Sequence, residues 1–128
     1  MTTVTDWSAL WHLPPSVDAA PASRRLVRPH LRRWKLDAEL VSAVCLLVGE
    51  LVAHAVHHVG HPIRLQLVYA DGGITVILHH TGPPAATPLT PDAGAGSYRL
   101  QLVSALADSF AVSSSSLGTF AVAHLHKQ

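Results

Sequence analysis

Apolar and polar residues follow two rhythms along this chain, and the changes of rhythm mark its elements. Trp7, Leu10, Trp11 and Leu13 alternate weakly and run into Pro14-Pro15, which predicts a short strand or extended arm. Ser16 can cap a helix over about Val17–Trp34, with Val27, Leu31 and Trp34 as its apolar stripe and the arginines on the outer face. Pro21 falls near the first turn, where a missing N–H costs little, whereas Pro29 is interior and predicts a kink.

The second helix is marked more strongly. Asp37 is a good N-cap, Glu39 sits where the helix dipole favours an acid, and Gly60 followed by Pro62 marks the end. Between them LVSAVCLLVGELVAHAVHH is apolar almost all round, which predicts burial on most sides. Ile63–Tyr69 alternates as a strand, Asp71-Gly72-Gly73 makes a tight turn, and Ile74–His79 returns. The Pro/Ala/Gly stretch Gly82–Gly96 reads as a loop, as does the serine run Ser113–Ser116. Tyr98–Ala107 has helical spacing at Leu100, Val103 and Leu106, and Phe110–Val112 with Phe120–Leu125 reads as a closing strand pair. The order (β)ααββαββ predicts an α+β two-layer sandwich, a mixed or antiparallel sheet with helices on one face.

Composition narrows the class. The chain has 128 residues, enough for one domain with a real core, so residues 1–128 are taken as a single domain. A hydrophobic share of 48% and a net charge of +1 exclude a disordered chain. The longest uncharged apolar run, Leu40–Gly49, is bracketed by Glu39 and Glu50 and is shorter than a membrane span of about 20 residues. No basic segment precedes an apolar stretch at the N-terminus, and Cys45 is the single cysteine. A cytoplasmic protein without a membrane partner is expected.

Charge is unevenly spread. Arg24, Arg25, Arg28, Arg32, Arg33 and Lys35 crowd one stretch that holds no acid, leaving 3 bases and 8 acids elsewhere. A solvated helix face is the plain reading, and a docking surface for an acidic partner the functional one. No nucleic-acid recognition motif accompanies the run, so nucleic acid is not expected.

Histidine is the conspicuous residue, with 10 copies against 9 Lys+Arg. At about 100° per residue, Glu50, His54, His57 and His61 share one side of the second helix, with His58 beside them. A carboxylate in an apolar helix needs a partner or a cleft, because burying an unpaired charge is expensive. His54/His58 and His57/His61 are i, i+4 pairs that can chelate one ion. Favourable interaction with the helix dipole and a pH-sensitive switch are the other readings.

The run Glu50-Leu51-Val52-Ala53-His54-Ala55-Val56-His57-His58 resembles the E-L-V-x-N-A-x-x-H segment of the histidine-kinase-like ATPases. The chain is most similar to their small actinobacterial anti-sigma-factor-like serine/threonine kinases. Trp11-His12-Leu13-Pro14 looks like the opening strand, and Ala22-Ser23-Arg24-Arg25-Leu26-Val27 like the first helix. Leu36-Asp37 stands where the family begins its second helix, Leu100–Asp108 resembles the helix after the nucleotide lid, and Gly118-Thr119-Phe120-Ala121-Val122 the last strand.

This resemblance implies a Bergerat ATP-binding fold that takes ATP and Mg²⁺. It gives Glu50 the role of general base, His54 the magnesium position, His80 the adenine position, and Gly82, Gly96, Arg99 and Leu100 the nucleotide box and lid. His58 and Thr119 fall among the nucleotide-binding residues. Three departures accompany it. His54 replaces an Asn, although magnesium prefers hard oxygen ligands and imidazole suits zinc or nickel. His80 replaces the adenine-binding Asp, keeping one neutral acceptor. Tyr98 and Arg99 add bulk where the family's lid needs close backbone approach, although Arg99 could still meet a phosphate.

Three readings follow from the resemblance. One is an ATP-binding regulator with a degenerate nucleotide site, acting on a sigma factor or an anti-sigma antagonist and expected as a homodimer. Another is a non-catalytic pseudo-kinase. The third is a zinc or nickel module built on His54, His58 and His80 with Glu50.

Overall fold

Asp37 starts the element around which the rest is packed. In the computed structural model, which describes residues 3–4, 7–58, 62–81 and 98–126, the Asp37 Oδ1 accepts the Leu40 N–H at 2.9 Å. Its carbonyl accepts the Val41 N–H at 3.0 Å, so the residue caps helix α2 (Ala38–His58) as its type predicts. Val44, Leu47, Val48, Leu51, Val52 and Ala55 of α2 are fully enclosed. By length and composition Ala38–Val56 could cross a membrane, yet 61% of it is buried inside the protein, the pattern of a core helix.

Helix α1 (Ala19–Arg33) lies against α2 and buries Ala19, Ser23, Val27, His30 and Leu31. Its start differs from the expectation. Ser16 does not cap it; the Ser16 hydroxyl accepts the Asp18 N–H at 3.2 Å in a turn of its own, and the helix begins two residues later. Pro29 lies within a helix that continues to Arg33. The far end closes by two reversed bonds, Lys35 N–H to the Arg32 carbonyl (2.9 Å) and Leu36 N–H to the Leu31 carbonyl (3.4 Å). This closure puts Lys35 at φ 61, a left-handed conformation. Arg25, Arg32, Arg33 and Lys35 are exposed as expected, while Arg24 and Arg28 are half-buried.

Strands β1 (Thr3–Val4), β2 (Ser8–Leu13), β3 (Ile63–Ala70), β4 (Gly73–His80), β5 (Ser109–Ser115) and β6 (Gly118–His126) form one sheet in the order β1-β2-β3-β4-β6-β5. Every pairing is antiparallel, which decides between the two sheet types that the sequence left open. Asp71 (φ 54) and Gly72 (φ 76) make the two-residue turn between β3 and β4, with both residues in the left-handed region that Asp-Gly supplies. Helix α3 (Tyr98–Leu106) packs on α2 and β5. The architecture is the expected α+β sandwich.

The serine run is a correction. Ser113, Ser114 and Ser115 are not loop but strand, paired with Phe120, Thr119 and Gly118, and only residues 116–117 turn. Backbone pairing to β6 outweighs their polar composition, and hydroxyls facing solvent suit an edge strand.

Alternation sorts the sheet into faces. Trp11, Leu65, Leu78 and Ala121 form one inner row, and Ala9, Leu67, Val76 and Ala123 the next, all buried. The row at the β4 C-terminus runs Leu13, Ile63, His80, Thr119, Ser114, so the apolar inner face becomes polar at that end.

Candidate functional site

His80 ends β4 facing inward and is 1% exposed; Thr119, its neighbour on β6, is 2% exposed. The His80 Nδ1 lies 3.1 Å from the Thr81 carbonyl oxygen. A carbonyl can only accept, so Nδ1 carries the proton, and in the neutral ring Nε2 keeps a lone pair. That Nε2 is buried and has no hydrogen-bond partner among the described residues. The Thr119 hydroxyl is tied to the Ser114 hydroxyl at 3.0 Å.

Gly118 lets β6 approach this point. It holds φ +119, and a Cβ there would strike the His80 carbonyl and come within 2.9 Å of the His79 Nε2. His79 points to the opposite face, stacked on Phe120 at 4.2 Å between ring centroids.

On α2, Glu50 and His54 stand one turn apart in different surroundings. Glu50 is half-buried and borders a groove of about 260 Å³ shared with Ser16, Val17, Ala20 and Arg24 of the α1 side. His54 is 1% exposed and sealed into the core side of the helix. The Arg24 guanidinium lies over Gly49, where any Cβ would run into it. A lone glycine within a helix of good helix formers is the sequence signal for such an approach, and it passed unread.

Of the residues singled out from sequence, the structure sets His80 beside Thr119 and puts Glu50 and His54 on successive turns of α2. Gly82 and Gly96 lie outside the described residues, as do the side chains of His58, Arg99 and Leu100. Among the described residues no three His, Cys, Asp or Glu side chains gather as a metal set.

Two further features were not anticipated. His30 is 5% exposed and wedged between Trp11 (5.5 Å) and Trp34 (4.6 Å), both edge-to-face. Burial, and then the nearby Arg33 charge, hold its pKa below the usual imidazole value. At the other end of α2, a cavity of about 350 Å³ is bordered by Asp37, Ala43, Leu106, Asp108, Leu125 and His126. There the Asp108 Oδ2 accepts both the backbone N–H (2.7 Å) and the ring Nδ1 (2.9 Å) of His126, which holds the carboxyl below its ordinary range.

The family model for the histidine kinase-like ATPase domain matches residues 13–123. The chain belongs to this family. The matched stretch contains Glu50, His54, His80 and Thr119, and it runs from the last residue of β2 into β6. Among solved structures, the RsbU and RsbW domains of Rv1364c from Mycobacterium tuberculosis superpose with a TM-score of 0.72 at 17% identity. The superposition covers 93% of this chain and 31% of that one, so the chain spans about a third of its structural neighbour. At that identity the likeness establishes the histidine kinase-like fold. No curated protein matches the chain.

The two groups that the family implies fit unequally. A buried acceptor on His80 that has no partner among the described residues suits an amino-bearing base such as adenine. A buried imidazole at position 54 does not suit magnesium, whose ligands are hard oxygens.

Proposed function

We propose that this chain is a regulator of the anti-sigma-factor-kinase type whose nucleotide pocket binds adenine nucleotide weakly and has given up magnesium-dependent phosphoryl transfer. The observation that carries the proposal is His54. It is enclosed at 1% exposure on the helix turn after Glu50, at the position where the family places an oxygen ligand for magnesium. Without that ion the charge building up on a transferring phosphoryl group loses its main electrostatic stabiliser, and Glu50 as general base cannot compensate.

Regulation then works by contact rather than by chemistry. The exposed cations Arg25, Arg32, Arg33 and Lys35 of the α1 face suit an acidic surface on a partner, and they make the encounter salt-sensitive. A sigma factor or its antagonist is the expected partner class, with a second copy of the chain completing a homodimer in the cytoplasm. The neighbouring structure, described as containing an RsbW domain, supports this class through its fold.

The test restores the family's residues. His54→Asn with His80→Asp should bring Mg·ATP binding to micromolar affinity in calorimetry, while the parent chain stays at least about tenfold weaker, a difference of about 1.4 kcal/mol. Micromolar binding by the parent chain would overturn the proposal.

A further inference from the structure

The turn between β3 and β4 lies at the end of the sheet away from His80. The eight residues of β4 separate the two ends by roughly 23 Å of strand. Beside this turn a cavity of about 310 Å³ is bordered by Trp7, Tyr69, Ala70, Asp71 and Gly72. Two of these residues are aromatic and one is a carboxylate; none is a base.

The aromatic wall is held in place although it reaches the surface. Trp7 is 56% exposed, yet its carbonyl accepts the Tyr69 N–H at 2.8 Å and its ring tilts at 55° against Tyr69, 5.5 Å between centroids. Tyr69 in turn stacks on Trp34 at 6.1 Å and 22°, and Trp34 meets the buried His30. The exposed indole is therefore the outer end of an aromatic chain anchored in the core. Asp71 is fixed by the turn itself, at φ 54.

Aromatic faces carry negative potential and attract cations, and an adjacent carboxylate adds to that attraction. Among side-chain cations the guanidinium group fits such a wall best. It is planar, stacks on rings, donates two N–H groups to one carboxylate and gives up water more readily than an ammonium. A free amino acid would also bring an α-carboxylate, which would meet Asp71 and no compensating base. An arginine within a polypeptide brings no such charge.

We propose that Trp7, Tyr69 and Asp71 form a docking pocket for an arginine side chain of a partner protein. The guanidinium stacks on the aromatic wall and donates to the Asp71 carboxylate. This surface has the opposite charge preference to the arginine face of α1, and it stands apart from the nucleotide reading, neither needing it nor supporting it.

The test titrates the full chain with N-acetylarginine amide and follows the three indole N–H signals by NMR, Trp7 being assigned by its loss in Trp7→Phe. The Trp7 signal and the Asp71-Gly72 amides should shift and saturate, while Trp11 and Trp34 move little. Asp71→Asn keeps a residue type that tolerates the turn, and it should weaken binding at least about fivefold with an unchanged Tm. Trp7→Ala should weaken it by a similar factor. The lysine amide and free arginine should bind at least about threefold more weakly, and the citrulline amide, which has the shape without the charge, should not saturate. No saturation by about 100 mM probe, unchanged affinity in Asp71→Asn, or equal binding of the lysine or citrulline derivative would overturn the pocket's assignment to guanidinium. Tighter binding of free arginine than of its capped form would overturn its assignment to a partner protein.

Discussion

His30, His54 and His80 each bury an imidazole, and their neighbours give each a different part. His30 is structural. Its ring fills the gap between Trp11 and Trp34, its Nε2 has no partner among the described residues, and burial with the Arg33 charge disfavours its protonated form. The folded pKa therefore lies below the unfolded one, and the unfolded chain takes up the proton first as the solution is acidified. Stability from this residue is complete above about pH 6.5 and is lost as pH falls toward the folded value. Urea titrations at pH 7.5 and 5.0, followed by tryptophan fluorescence, should register the loss, and His30→Phe should show a smaller one. An equal loss in the variant would remove His30 as the cause. The sequence pointed to His54 and His80 because they stand where a family pattern has Asn and Asp. It was silent on His30, whose importance comes from two tryptophans brought together by folding.

At the level of elements, ends and turns carry the sharpest predictions. Lys35 closes α1 at φ 61 although it has a Cβ, a conformation that favours glycine. Lys35→Gly should stabilise the fold by about 0.5–1 kcal/mol, read as a higher denaturation midpoint with unchanged slope. Gly118 is the opposite case, since its φ of +119 and the His80 carbonyl both exclude a side chain. Gly118→Ala should cost roughly 1–3 kcal/mol, visible as a lower Tm. Asp37→Ala should cost about 1 kcal/mol through the lost Leu40 N–H bond. Asp37 and the Asp71-Gly72 turn were legible because each acts through local chemistry. Ser16 and the serine run misled for the complementary reason. Ser16 satisfies a nearer N–H than the helix offers, and Ser113–Ser115 owe their strand to β6, which is invisible to local composition.

The whole molecule combines a retained frame with an altered interior. Element order from β2 onward followed from hydrophobic periodicity, and the burial of α2 from its nearly all-round apolar surface, which is why most of the frame could be read before the structure. The sheet order β3-β4-β6-β5, which sets Thr119 beside His80, could not, because strand partnership between distant segments leaves no mark on either segment alone. That partnership makes one polar corner on an apolar sheet, where the buried His80 Nε2 has no partner among the described residues, and α2 encloses the imidazole of His54, close in sequence to Glu50. The central claim is that nucleotide binding has been separated from the metal. The most direct test is calorimetry of ADP binding to the parent chain with millimolar Mg²⁺ and again with excess EDTA. Weak affinities agreeing within about twofold are predicted, since position 54 offers magnesium no oxygen. A loss of tenfold or more on removing Mg²⁺ would contradict the account.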